Sequence, residues 1–88
     1  MQSHIVYLDG INLPDTLASR LAYWIGAGDD CRQCARLALS NLPVSIEMLL
    51  GAAGELHTLA WGTDPGNFDR QDLEDLEDRL RALVRRAA

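Results

Sequence analysis

Residues 68–88 read FDRQDLEDLEDRLRALVRRAA, and this stretch decides the fold class. Its apolar residues alternate spacings of three and four, which places them on one face of an α-helix: Leu73, Leu76, Leu80, Leu83 and Ala87. Acids fill the first half and arginines the second, as the helix dipole favours. Two surface pairs can form at i, i+4, Asp75 with Arg79 and Glu77 with Arg81. The pattern predicts a C-terminal helix from about residue 68 or 69.

A first helix is predicted by an apolar row at every fourth position, formed by Leu17, Leu21 and Ile25. We expect this helix to begin near Asn12 or Leu13, because Asn caps helices well and Pro14 suits a first turn. Gly26 and Gly28 are expected to end it.

The chain before the first helix favours extended structure. Residues 4–8 are rich in strand formers, and Asp9-Gly10 separates them from Ile11-Asn12-Leu13. Asp and Gly tolerate the positive φ of a type I′ turn, so a short hairpin is predicted. A simple extended segment is the alternative.

Two further helices are predicted in the middle of the chain. The second opens at Asp29 and Asp30, where acids complement the dipole, and ends near Ser40. We expect it to bury Cys31, Cys34, Ala35 and Ala38, with Leu39 at the margin. The third runs from Asn41 to about Trp61, and its predicted buried face comprises Ile46, Leu49, Leu50, Ala53, Leu56 and Ala60. Gly51 and Gly54 within it mark either a close helix crossing or a break.

These patterns predict a mainly α fold in a single domain over residues 1–88. Residues 1–13 form an extended or short β-hairpin N-terminus, and residues 14–88 form a small bundle of three to four helices. A length of 88 residues matches one domain. The apolar fraction of 48% is too high for a disordered chain.

The charge balance argues against direct binding of nucleic acid. The net charge is −5, from 13 acids and 8 bases, and every base is arginine. A negative field repels phosphates, whereas nucleic-acid-binding modules normally show a basic face.

Neither a secretion signal nor a membrane span is predicted. Met1-Gln2-Ser3-His4 lacks a basic start followed by a long apolar run. The longest uncharged run, residues 37–46, is about half of the roughly 20 residues that a span needs. We expect a cytoplasmic protein with reduced cysteines.

The Cys31-Arg32-Gln33-Cys34 segment is the motif with the most chemical character. A thiolate at a helix start can do redox work, but a thioredoxin-like site needs a βαβ frame that this chain lacks. A zinc site needs two more ligands, and only His4 and His57 are histidines. A redox or zinc protein stays an alternative. Small buried cysteines are favoured, and we expect no metal, cofactor or catalytic residue.

Two other motifs favour structural interpretations. No nucleophilic side chain lies at a spacing from His57 that indicates a catalytic pair. We therefore expect a partly buried structural histidine rather than a general base. Gly26-Ala27-Gly28 precedes a helix, but Asp29 and Asp30 would repel phosphate there. A plain loop between helices is favoured.

The acidic residues of the C-terminal region suggest a second hypothesis. They could mimic a nucleic acid backbone on a basic target: Asp64, Asp69, Asp72, Glu74, Asp75, Glu77 and Asp78. A solvated helix face with normal dipole placement is the competing interpretation and is favoured.

The leading functional hypothesis is a protein-binding module rather than an enzyme. It would act as a regulator, adaptor or inhibitor of bacterial or phage origin, by steric occlusion of an unidentified protein partner. Large rings are favoured interface anchors, and the candidate contacts are Tyr23, Trp24, Trp61, Asp72, Asp75 and Asp78. If the chain self-associates, we expect a homodimer whose interface is formed by Leu73, Leu76, Leu80 and Leu83.

Overall fold

Helices dominate the structure, a computed structural model that describes Ile5, Val6, Leu8 and residues 16–87. The predicted mainly α fold is confirmed. In chain order the described elements are β1 (Ile5–Val6), α1 (Leu17–Tyr23), a 3-10 turn (Ile25–Ala27), α2 (Asp29–Leu39), β2 (Val44–Ser45), α3 (Ile46–Trp61) and α4 (Phe68–Ala87). None of the helices described has the length and apolar character needed to cross a bilayer.

The N-terminal strand finds its partner far along the chain. β1 pairs antiparallel with β2, with Ile5 opposite Ser45 and Val6 opposite Val44. This pairing brings Leu8 and Val44 into the core, where both are buried. The predicted hairpin around Asp9-Gly10 lies outside the described residues.

The expected start of α1 is wrong by about one turn. Thr16 is extended and caps the helix, because its Oγ1 accepts a hydrogen bond from the Ser19 amide at 3.2 Å. Thr fills this role well because its oxygen satisfies a free amide of the first turn. After Tyr23 the chain tightens into the 3-10 turn, which leaves Ile25 exposed rather than on the predicted apolar row.

The expected start of α3 at Asn41 is also wrong, because Asn41 belongs to the end of α2. Its φ of 59° is left-handed, a conformation that Asn tolerates. The Leu42 amide donates to the Leu37 carbonyl at 2.8 Å, and the Asn41 amide to the Ala38 carbonyl at 3.0 Å. These two bonds form a Schellman motif, which closes a helix.

The cap of α3 is Ser45, whose hydroxyl accepts from the Met48 amide at 3.1 Å. The buried face of α3 differs from the predicted one at three positions, one of which is Ile46, a residue that is only partly buried. Leu50 is 44% exposed, whereas Ala52 is buried. Because α3 packs on both α2 and α4, its small residues face the neighbouring helices and Leu50 lies outside them.

The crossing of α2 and α3 explains the first of the two α3 glycines. A side chain at Gly51 would collide with the Asp30 carboxylate, whereas one at Gly54 would meet open space. α3 continues unbroken through both positions. Gly51 therefore marks a close helix crossing.

The predicted self-association face of α4 is used within the chain. Leu73, Leu76 and Leu80 are fully buried in the core, and Leu83 packs against its edge. α4 packs mainly on α3, to which a short loop joins it. The chain itself therefore covers most of this face, and the homodimer stays a prediction.

Candidate interaction surface

Two rows of side chains flank the buried leucines of α4. Helical spacing of about 100° per residue separates the rows onto opposite sides. The row toward α3, named the α3 flank, contains Arg70, Glu74, Glu77 and Arg81. The row toward α1, named the α1 flank, contains Asp72, Asp75 and Arg79.

On the α3 flank, Trp61 is held in place while most of its ring remains open to solvent. The guanidinium of Arg70 lies 4.8 Å from the centre of the Trp61 ring, which is a cation–π distance. The Nε of Arg70 also donates to Glu74 Oε1 at 3.1 Å. Trp61 is nevertheless 65% exposed. The contact orients the ring and leaves most of the side chain exposed.

His57 lies one turn before Trp61 and was expected to be partly buried. It is exposed instead, and its Nδ1 lies 3.1 Å from Glu77 Oε1. Arg81 Nε donates to the second oxygen of Glu77 at 2.8 Å. Glu77 itself is buried, so the two partners satisfy a carboxylate that has little access to water. This role for His57 is structural.

The loop between α3 and α4 forms a tight turn with exposed rings at both ends. The Asn67 amide donates to the Asp64 carbonyl at 3.1 Å. Gly66 has a φ of 90°, which favours glycine. The Asn67 side chain then accepts from the Asp69 amide at 2.9 Å as α4 begins. We name residues 61–69 the hairpin tip.

Phe68 is the residue of the hairpin tip that sequence reasoning missed. It is 86% exposed, the largest exposure among the large apolar side chains described. The sequence does contain a sign of this exposure, because Phe68 does not share the helical spacing of the buried Leu73, Leu76 and Leu80. It instead continues the row of Asp72 and Asp75 at i+4 and i+7, so it borders the α1 flank.

The α1 flank joins the first helix to the last through Arg20. Arg20 Nη1 lies 3.2 Å from Asp72 Oδ1 and 3.5 Å from Asp75 Oδ2. Asp75 also pairs with Arg79 Nε at 3.1 Å, as the sequence predicts. Two of the candidate partner contacts, Asp72 and Asp75, therefore already have cationic partners within the chain.

Of the adjacent residues Tyr23 and Trp24, one is exposed to solvent and the other packs against the core. Their rings meet edge to face with centres 4.9 Å apart. Trp24 packs against the core, whereas Tyr23 is 73% exposed. Tyr23 follows Arg20 by one turn of α1, and so it lies near the α1 flank. Trp61 lies on the opposite side of α4, beside the α3 flank. The exposed rings of Tyr23 and Trp61 therefore belong to different surfaces.

Four of the seven acids in the C-terminal series are neutralised by arginine. These are Asp72, Glu74, Asp75 and Glu77. The other three, Asp64, Asp69 and Asp78, have no arginine partner among residues 16–87. The negative field is therefore broken along α4, which weakens the resemblance to a nucleic acid backbone.

The two cysteines are buried and free, as the favoured interpretation predicts. Cys31 Sγ donates to the Ala52 carbonyl at 3.5 Å. Burial raises the pKa of both thiols, and Glu55 and Asp30 raise it further, to about 12 for Cys34. A buried, protonated thiol is a poor nucleophile and a poor metal ligand. The described residues contain no group of three or more His, Cys, Asp or Glu suited to a metal, and His4 lies outside them.

The start of α2 is filled by a carboxylate from α3. Glu55 accepts from the Asp30 amide at 3.1 Å and from the Cys31 amide at 2.8 Å. A side chain at Gly28 would collide with this carboxylate. The helix start that superficially suggests a phosphate site is thus occupied by the chain's own anion.

No family model, curated protein or solved structure matches the chain.

Proposed function

We propose that the protein is a protein-binding module that regulates a partner by covering part of its surface. The observation that carries this proposal is the exposure of Trp61 and Phe68 at the hairpin tip, outside the buried apolar core of the described residues. Patches of exposed apolar side chains mark interaction sites, and aromatic side chains are enriched in the cores of interfaces.

The contact between Arg70 and Trp61 supports the same role. A ring that is already oriented loses little freedom when it is buried, so more of its contact energy contributes to affinity. The ring therefore resembles a prepared anchor. Asp72 and Asp75, paired with Arg20, are less suited to a partner than the sequence suggests.

A non-catalytic mechanism is part of the proposal. The candidate nucleophiles Cys31 and Cys34 are buried, and the pKa of each thiol is raised. Binding requires neither a nucleophile nor a cofactor. The chain would act by steric occlusion, as a regulator, adaptor or inhibitor.

Site-specific photo-crosslinking tests the proposal. One variant carries a photoreactive phenylalanine at position 68, and a matched control carries it at position 39, where Leu39 is also exposed but lies on α2. Each is irradiated in lysate of the source organism. We expect one discrete adduct from position 68, suppressed by excess unmodified protein, and none from position 39.

Two results would contradict the proposal. Adducts of equal pattern at both positions indicate non-specific contact. No adduct at position 68, together with none at position 61, indicates that the exposed rings do not meet a protein.

Nucleic acid mimicry is the second candidate function, and the unpaired Asp64, Asp69 and Asp78 support it. It predicts a complex that dissociates in high salt because charge dominates its affinity. Ring-anchored docking retains most of its affinity in high salt. Repeating the crosslinking at low and high salt separates the two functions.

A further inference from the structure

The hairpin tip has acidic residues and exposed rings but no base. Its two acids are Asp64 and Asp69, and arginine is absent from residues 61–69. Neither carboxylate pairs with an arginine in the described part of the chain. All of its residues except Thr63 are exposed. The tip therefore presents two exposed rings together with two carboxylates that no arginine pairs with in the described chain.

The charge pattern changes immediately beyond the tip. Arg70 pairs with Glu74, and Arg20 pairs with Asp72, so the neighbouring acids are matched. The unpaired negative charge nearest to Trp61 and Phe68 is therefore that of Asp64 and Asp69. A surface that is complementary to the tip carries positive charge.

The same charge disfavours two other occupants. A nucleic acid backbone is negative, and so is a second copy of this chain at a net charge of −5. Opposing two tips would place four unpaired carboxylates together, and like charges at an interface are unfavourable. The occupant that the charge favours is therefore a partner protein with a positively charged surface.

We propose that the hairpin tip docks into an apolar cleft of a partner protein whose rim carries arginine or lysine. This inference rests on the proposed protein-binding function and specifies the partner's chemistry. Because Trp61 lies beside the α3 flank and Phe68 beside the α1 flank, a surface that contacts both rings must curve around the tip. Trp61 and Phe68 occupy the apolar cleft, and Asp64 and Asp69 meet the basic rim.

The two kinds of contact have different kinetic signatures. Buried rings determine how slowly the complex dissociates, and truncating an anchor weakens affinity by roughly tenfold or more. Charges at a rim mainly accelerate association and introduce salt dependence. The aromatic and acidic residues of the tip can therefore be separated by rate measurements.

The test uses a phage-displayed library of random peptides as the probe, selected on the immobilised full-length protein. We expect enriched peptides to combine an apolar residue with an excess of Arg and Lys. The variant Trp61→Ala/Phe68→Ala should bind these peptides roughly tenfold or more weakly. The variant Asp64→Asn/Asp69→Asn should slow their association and reduce its salt dependence.

The matched control is Leu39→Ala/Leu42→Ala, which removes two exposed apolar residues near the end of α2. Its binding should equal that of the wild type. Circular dichroism of each variant checks that its helices are retained, and the acid-to-amide pair preserves side-chain shape.

The outcomes separate this inference from the function on which it rests. Enriched peptides that depend on Trp61 and Phe68 but lack basic residues overturn the basic rim and leave the binding function intact. The absence of any tip-dependent peptide overturns both. A tip-dependent dimer in sedimentation identifies a second copy as the occupant and overturns the basic partner.

Discussion

Gly51 and Gly54 lie one turn apart on α3 and have different surroundings. A methyl group at Gly54 would contact nothing, whereas one at Gly51 would displace the Asp30 carboxylate. The two glycines have the same intrinsic helix propensity. A difference in stability between their alanine variants therefore reports how closely α2 approaches α3 at Gly51.

We expect Gly54→Ala to raise the free energy of unfolding by up to about 1 kcal/mol, because Ala favours the helix. Gly51→Ala should lose that gain, since Asp30 must move. Urea denaturation of both variants measures the difference. An equal gain at both positions would show that Asp30 moves without cost.

The two cysteines predict a loss of stability at alkaline pH. Their pKa values are raised above about 9 in the folded chain, to about 12 for Cys34. The folded protein holds these protons more strongly than the unfolded chain does. The resulting stabilisation is complete below pH about 9 and is lost as pH rises toward about 12.

The measurement is the free energy of unfolding against pH from about 9 to 12, for the wild type and for Cys31→Ala/Cys34→Ala. The decline should be less steep in the double variant. The chain has no lysine to titrate in this window, and adding Tyr7→Phe/Tyr23→Phe to both proteins removes its two tyrosines as a source of pH dependence. Equal slopes in the wild type and the double variant would contradict the prediction.

At the scale of elements, α2 depends on α3 for its first turn. Its preceding residue is Gly28, which has no side chain to act as a cap. Glu55 supplies the missing acceptor for the amides of Asp30 and Cys31. An element boundary is here set by a residue that lies on another helix.

Removing this acceptor should destabilise the fold. Glu55→Ala leaves two partly buried amides without their partner, and we expect a loss of about 1–3 kcal/mol. Glu47→Ala is the control, because Glu47 is exposed on the same helix. Thermal and urea unfolding compare the two. A Glu55→Ala protein as stable as the Glu47→Ala protein would show that water replaces the carboxylate.

The buried face of α4 predicts a second loss at the element scale. Leu76 is fully buried within the chain, so Leu76→Ala should cost about 2–5 kcal/mol through lost burial and the cavity left behind. Leu39→Ala, at an exposed position of α2, should cost much less. Urea unfolding at two protein concentrations measures both. A Leu76→Ala midpoint that rises with concentration would indicate that α4 packs between chains.

At the scale of the whole molecule, charge and burial together predict a monomer. The apolar face of α4 packs inside the chain, and the net charge of −5 opposes association of like copies. Sedimentation velocity should give the mass of one chain at moderate salt. A dimer that dissociates in the Trp61→Ala variant would place the interface at the hairpin tip.

The sequence patterns predicted a helix correctly where the interactions that define its ends lie within that helix. α2 and α4 follow their predicted bounds closely, because their apolar spacing and charge placement act within each helix. The predicted start of α3 at Asn41 was wrong because Asn suits the end of one helix as well as the start of the next. The ending was decided by two hydrogen bonds to α2.

The candidate surface was only partly predictable for the same reason. Trp61 was named from its residue type, but Phe68 required its position relative to the buried leucines of α4. The sequence named Asp72 and Asp75 among the candidate contacts. In the structure Arg20 on α1 pairs with both of them, while Asp64 and Asp69 stay unmatched within the described chain.

The sequence by itself determined the helical class, the long last helix, the burial of Cys31 and Cys34, and the acidic net charge. These properties follow from spacing, propensity and composition, which act over one or two helical turns. Only the tertiary structure decided the pairing of β1 with β2, the capping of α2 by Glu55, and the placement of the α4 leucines inside the chain. Each of these joins residues distant in sequence, and a distant contact forms only where the complete packing brings its two partners together.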